Sequence, residues 1–169
     1  VESAPGVGSR FWLTVPLARC MVSTVAPAPS AFSLLADERL RREYAGARIL
    51  LTEDEPITQE VSRGLLEDAG FLVDLAEDGQ QAVAMARQYT YALILMDMQM
   101  PVLNGVDATT AIRAESLNKA TPILAMTANA FEEDRQICID AGMNDHIVKP
   151  VNPDSLYETL LKWLAQSDH

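Results

Sequence analysis

The chain has 169 residues, 49% of them hydrophobic, enough for one good core and a short appendage but hardly for two full domains. Its 24 acidic against 13 basic side chains leave a net charge of -11, which repels phosphate backbones and anionic lipid heads, so neither direct nucleic-acid binding nor membrane contact is expected. Cys20 and Cys138 lie far apart without metal-ligand spacing, no apolar run nears the roughly 20 residues that cross a bilayer, and Val1 opens no basic-then-apolar signal pattern. A reducing, cytoplasmic setting is expected, with an inner-membrane anchor on a longer parent protein left open.

In chain order, Gly6 to Ser9 reads as a turn and Phe11 to Val15, closed by Pro16, as a strand. The stretch Ser23 to Ser33 is rich in Ala, Pro and Ser and reads as a linker. Asp37 to Tyr44 follows as a short solvated helix. From Ala47, apolar runs alternate with helical segments: Ile49 to Leu51, Leu72 to Leu75, Ala92 to Met96, Ile123 to Met126 and Ile147-Val148 are strands. The third and fourth are nearly unbroken, as strands buried on both faces should be. A helix begins at Pro56, with Ile57, Val61 and Leu65 recurring every four residues and Gly70 as its stop. Gly79 to Tyr89, Val106 to Glu115 and Phe131 to Ala141 are further helices, the second despite the poor helix formers Thr109 and Thr110. Asn152 caps a last helix with Pro153 in its first position and Leu156, Leu160, Leu164 and Trp163 as its stripe. Five such units predict a flavodoxin-like (βα)5 doubly wound parallel sheet of strand order 2-1-3-4-5.

Open sheets of this kind work at the carboxyl ends of their strands. Strand one ends in Glu53-Asp54, strand three in Asp97, strand four in Thr127 and strand five in Lys149-Pro150. Three carboxylates, a hydroxyl and an ammonium at one rim suit a hard divalent cation and a phosphoryl group. Mg²⁺, or Mn²⁺ in its place, takes oxygen ligands and keeps several waters, so Asp54, Asp97 and a nearby backbone carbonyl would suffice, with Glu53 holding a metal-bound water. Asp97 could then act as a carboxylate nucleophile forming an acyl phosphate, with Lys149 neutralising developing charge and Thr127 donating a hydrogen bond.

At these residues the chain resembles the receiver domain of two-component response regulators, especially those appended to hybrid histidine kinases. The likeness runs from about Ala47 to Gln166. It rests on Glu53-Asp54, on Leu95-Met96-Asp97-Met98-Gln99-Met100-Pro101 with Gly105, on Thr127-Ala128, and on Ala141-Gly142-Met143 leading into Lys149-Pro150. The resemblance implies that Asp97 accepts phosphate from a phosphohistidine, that Asp54, Asp97 and the Gln99 carbonyl bind Mg²⁺, and that Lys149 precedes a cis peptide to Pro150. It also implies a switch in which Thr127 moves toward the phosphoryl group and a residue on the fifth strand follows. That position is His146 here, where Tyr or Phe is usual, so the aromatic coupling is altered. Gln99 and Asn129 match the positions that tune hydrolysis of the acyl phosphate.

Gly6 to Ser9 with Phe11 to Pro16 is similar to the closing turn and strand of a histidine-kinase ATP-binding domain. This likeness divides the chain into a kinase remnant at 1–16, a linker at 17–46, the receiver at 47–166 and a tail at 167–169. The remnant lacks an Asn-bearing helix, an Asp-x-Gly loop and a lid, so ATP binding is not expected. The expected partners are a kinase's phosphohistidine-bearing dimerisation domain and a histidine phosphotransfer protein, approaching across the helix from Ile57 and the loop after strand five. With only Ser167 to His169 after the last helix, relay is expected rather than direct output. The chain would take part in its own phosphotransfer and dephosphorylation without being an enzyme by itself, within a parent hybrid kinase. Mg²⁺-dependent aspartyl hydrolases share part of this pattern but need a second Asp two residues after the first, where this chain has Gln99. A binding module that is never phosphorylated would have no need of the full acidic set.

Overall fold

The alternation of apolar runs and helices becomes, in the computed structural model, a five-stranded parallel sheet with helices on both faces. The structure describes residues 2–4, 8–10, 31–128 and 132–167. The sheet is built from β3 (Arg48–Thr52), β4 (Leu72–Ala76), β5 (Leu93–Asp97), β6 (Ile123–Thr127) and β7 (Asp145–Val148). Before them come β1 (Glu2–Ala4), β2 (Gly8–Arg10) and α1 (Ala31–Glu43). Between and after them run α2 (Pro56–Asp68), α3 (Gly79–Gln88), α4 (Gly105–Glu115), α5 (Glu132–Asp140) and α6 (Pro153–Ser167). The order β4-β3-β5-β6-β7, parallel throughout, is the expected 2-1-3-4-5 arrangement.

Side chains alternate across each strand, so the sheet feeds two cores, one on each face. Ile49, Leu51, Leu93, Leu95, Leu124 and Ile147 meet Leu66 of α2 and Leu156, Leu160 and Leu164 of α6 on one face. Leu50, Ile94, Met96, Ile123 and Ala125 meet Ala82, Ala108, Ile112 and Cys138 from α3, α4 and α5 on the other. β5 and β6 are buried at every position, which is why they read as unbroken apolar runs.

Two helices differ from expectation. Of the stripe Ile57, Val61 and Leu65, only Leu65 packs against the core: Ile57 is 72% and Val61 51% exposed, while Ser62, Leu66 and Ala69 are buried. The true inner face lies one residue further along, and the Tyr157 hydroxyl donates to the Leu65 carbonyl across it. Likewise α1 is longer than the solvated helix expected over 37–44. It presents Ala36 and Leu40, one turn apart, to the core beside α6, while Arg39–Glu43 and Arg41–Asp37 pair on its surface. Surrounding charges mask so sparse a stripe.

Thr109 and Thr110 do not prevent α4. Asn104 caps it by accepting from the Asp107 N–H, and Thr110 donates back to the Val106 carbonyl. In the last turn of α4, Arg113 donates to the carbonyls of Asn118, Lys119, Thr121 and Gly142 and to Asn144, fastening the end of the sheet opposite the strands' carboxyl ends. β1 and β2 pair antiparallel with Ala4 opposite Gly8, so Gly8 and Ser9, expected in a turn, lie in a strand. The strand expected over Phe11 to Val15, residues 17–30 of the expected linker, and Asn129 lie outside the described residues. Among the described residues, no helix is long and apolar enough to cross a membrane.

Candidate active site

Four strand ends deliver the site. β3 stops at Thr52, yet the Glu53 N–H still pairs with the Ala76 carbonyl, so the Glu53 side chain is fixed and wholly buried while Asp54, next along, is exposed. Asp97 closes β5 at 4% exposure, and Thr127 closes β6 in a buried position. Lys149 follows β7, its N–H donating to the Thr127 carbonyl, and the Lys149–Pro150 peptide is cis as the resemblance implied. The backbone after Asp97 folds back so closely that a Cβ on Gly105 would stand 2.2 Å from the Asp97 carbonyl oxygen; only glycine fits there.

Glu53, Asp54, Asp97, Gln99, Thr127 and Lys149 line one cleft of about 620 Å³. Lys149 Nζ donates to Asp97 Oδ2 at 2.7 Å and to Glu53 Oε1 at 2.9 Å, with Glu53 Oε2 in ionic contact at 2.6 Å. The Gln99 N–H donates to Asp97 Oδ1. One carboxylate oxygen from each of Glu53, Asp54 and Asp97 lies within 4.8 Å of the others. An all-oxygen set of this kind fits a hard divalent cation and has no soft donor.

Burial pushes the Glu53 carboxyl above the usual carboxylate range, helped by the charge of Asp97 and opposed by Lys149. For Lys149, burial works to lower the ammonium, but its bonds to Asp97 and Glu53 outweigh that and hold it above the ordinary lysine value. One cation therefore serves two carboxylates, and Asp54 adds a third at the rim.

His146 is not among the cleft residues. It sits on β7 opposite Ala125, on the other face from Ile147, with Nδ1 3.7 Å from Asp145 Oδ1. Cys138 is buried in helix packing, its sulfur 3.6 Å from that of Met98. Three cleft-side residues escaped the sequence reading. Glu55 caps α2 by accepting from the Ile57 and Thr58 N–H groups, and its carboxyl is held low chiefly by a hydrogen bond from Thr58. Thr58 lines the cleft, and Gln59 donates its amide N–H to the Glu53 carbonyl. An acidic residue just before Pro56 was the available signal for the cap; nothing local marked Gln59.

Comparison with known proteins gives the same picture. Residues 49–161 match the family model described as the response regulator receiver domain. Sensor histidine kinase AruS of Pseudomonas aeruginosa is 37% identical over 162 residues, covering 95% of this chain, which spans only 15% of that relative's length. The receiver domain of sensor histidine kinase PA1611 from the same species, solved with a magnesium ion coordinated in its active site cleft, superposes with a TM-score of 0.68 at 45% identity, covering 72% of this chain and 99% of that one. The receiver domain of Saccharomyces cerevisiae Ssk1, solved in complex with the histidine phosphotransfer protein Ypd1, gives 0.67 at 29% identity, with 72% and 91% covered.

Proposed function

Because the chain belongs to the response-regulator receiver family, we propose that Asp97 accepts a phosphoryl group from a phosphohistidine and that the chain passes it to a histidine phosphotransfer partner or releases it by hydrolysis. The observation that carries this reading is Lys149 Nζ lying 2.7 Å from Asp97 in a cleft shared with the oxygens of Glu53 and Asp54. A carboxylate oxygen of Asp97 attacks phosphorus, the bond from phosphorus to the imidazole nitrogen breaks, and the electron pair leaves with the imidazole. Lys149 holds Asp97 in place and turns to the phosphoryl oxygens as their charge accumulates, and Thr127 donates its hydroxyl proton to one of them. Asp54, Asp97 and the Gln99 carbonyl would hold Mg²⁺, with Glu53 through a water; bound there, the ion neutralises negative charge on the phosphoryl oxygens. In hydrolysis a water oxygen attacks phosphorus, the bond from phosphorus to the Asp97 oxygen breaks and inorganic phosphate leaves, with Gln99 and Asn129 as the residues that tune the rate. In the switch, Thr127 shifts toward the phosphoryl group, and the coupling that follows is altered because His146 stands where Tyr or Phe is usual.

Ile57 and Val61 form an exposed apolar strip on α2, whose capping residue Glu55 and first-turn residue Thr58 line the cleft. Exposed apolar residues beside a reactive rim suit a docking partner, and the Ssk1 complex with Ypd1 supports a partner of this kind. That the likeness to AruS covers 95% of this chain supports a parent hybrid kinase in which residues 1–16 close the ATP-binding domain and the receiver follows.

Incubation with a labelled phosphohistidine phosphotransfer domain and Mg²⁺ tests this. Label is expected to pass to the chain, and none to Asp97→Asn. Ile57→Glu should slow transfer about ten-fold, the equivalent of ~1.4 kcal/mol at a docking hot spot, without slowing labelling by a small acyl phosphate. Label reaching Asp97→Asn as fast as wild type would end the proposal.

A further inference from the structure

The geometry points to Gln59 as a positioning residue for the cation site, acting through the Glu53–Asp54 peptide; this rests on the receiver reading above. The peptide joins two residues with opposite fates. Glu53 is wholly buried and tied to Lys149, whereas Asp54 is exposed, stands outside both strand and helix, and must still aim its carboxylate at the oxygens of Glu53 and Asp97. The ladder ends here: the Glu53 N–H pairs with the Ala76 carbonyl, and the Glu53 carbonyl receives the Gln59 amide from the first turn of α2. Glu55 fixes that turn by capping the Ile57 and Thr58 N–H groups, so Gln59 reaches back from a rigid base. With Gln59 in place, the plane of the peptide entering Asp54 is set before any cation arrives. Without it, that plane can rotate and Asp54 must be ordered at the expense of binding. Partners one step behind a metal ligand commonly change affinity by about 10–100-fold.

The test uses the full chain and Mn²⁺ as probe, with free Mn²⁺ counted by electron paramagnetic resonance and thermal melting recorded without metal. Gln59→Met keeps length and helix propensity but cannot donate. Gln59→Glu keeps shape and adds a negative charge, which simple attraction would turn into tighter binding; the positioning role requires weaker binding instead. Both variants are expected to bind Mn²⁺ about ten-fold more weakly or worse, with metal-free melting close to wild type. Wild-type affinity in Gln59→Met, or tighter binding in Gln59→Glu, would overturn the assignment. So would a loss of affinity that merely follows a loss of fold in both variants. Asp54→Asn separates the two layers: if wild type binds no more Mn²⁺ than Asp54→Asn, the cation site itself is wrong and the role of Gln59 goes with it.

Discussion

Lys149→Met is expected to cut phosphoryl acceptance by about a hundred-fold or more and, in metal-free buffer at neutral pH, to lower stability by about 3 kcal/mol. The functional loss follows from removing the one cation that touches Asp97 among the described residues. The stability loss follows from what remains: Glu53 has no exposure and Asp97 only a 6% exposed side chain, so two carboxylates are left buried without their shared ammonium. The pH dependence distinguishes this from a packing defect. Lys149 titrates above its ordinary value, so its contribution is complete below about pH 10.5 and is lost only as pH rises through the higher folded value. Glu53 already sits above the ordinary carboxylate value through burial, and without Lys149 it rises further. Its penalty is full above that folded value and eases as pH falls through it, because the folded state then takes up a proton more readily than the unfolded chain. Denaturant melts of wild type and variant should therefore converge on acidification toward pH 4.5. A gap of equal size at both pH values would mean that lost packing, not lost charge pairing, is responsible.

Leu40→Ala is expected to destabilise the domain by about 3 kcal/mol, although Leu40 lies outside the 49–161 stretch that matches the receiver family. Leu40 has no exposed surface and packs in the core shared by α2 and α6, and the chain passes from it into β3 through the Tyr44–Ala47 turn. Leu35 on the same helix is 58% exposed, so Leu35→Ala should stay within about 0.5 kcal/mol of wild type. Chemical denaturation of the two variants checks this. A neutral Leu40→Ala would mean that α1 is not part of the folding unit.

The strand-end residues were legible because each reports its own place: an apolar run of fixed length ends, and a charged or hydroxyl side chain follows. Glu53, Asp54, Asp97, Thr127 and Lys149 could be found that way, and the sheet order follows from five parallel units with right-handed crossovers. Where two patterns competed, sequence was a poorer guide. Ile57 and Val61 gave α2 its apolar repeat, yet burial went to Ser62 and Leu66, because an apolar repeat shows that a helix forms but not which of its faces is covered. α1 was underestimated for the opposite reason, since Ala36 and Leu40 are enclosed by Asp37, Glu38, Arg39, Arg41 and Arg42. Gln59 could not be found at all: its role depends on reaching a backbone carbonyl across the β3–α2 turn, and backbone carbonyls carry no sequence signature.

The central claim concerns one oxygen nucleophile, and intact-mass measurement with peptide mapping after exposure to Mg²⁺ and acetyl phosphate addresses it most directly. The expected result is a single added phosphoryl group, labile to base and stable to acid, on the peptide containing Asp97 and missing from Asp97→Asn. A phosphoryl group mapped to any other residue, or none at all on a chain that binds Mg²⁺, would contradict it.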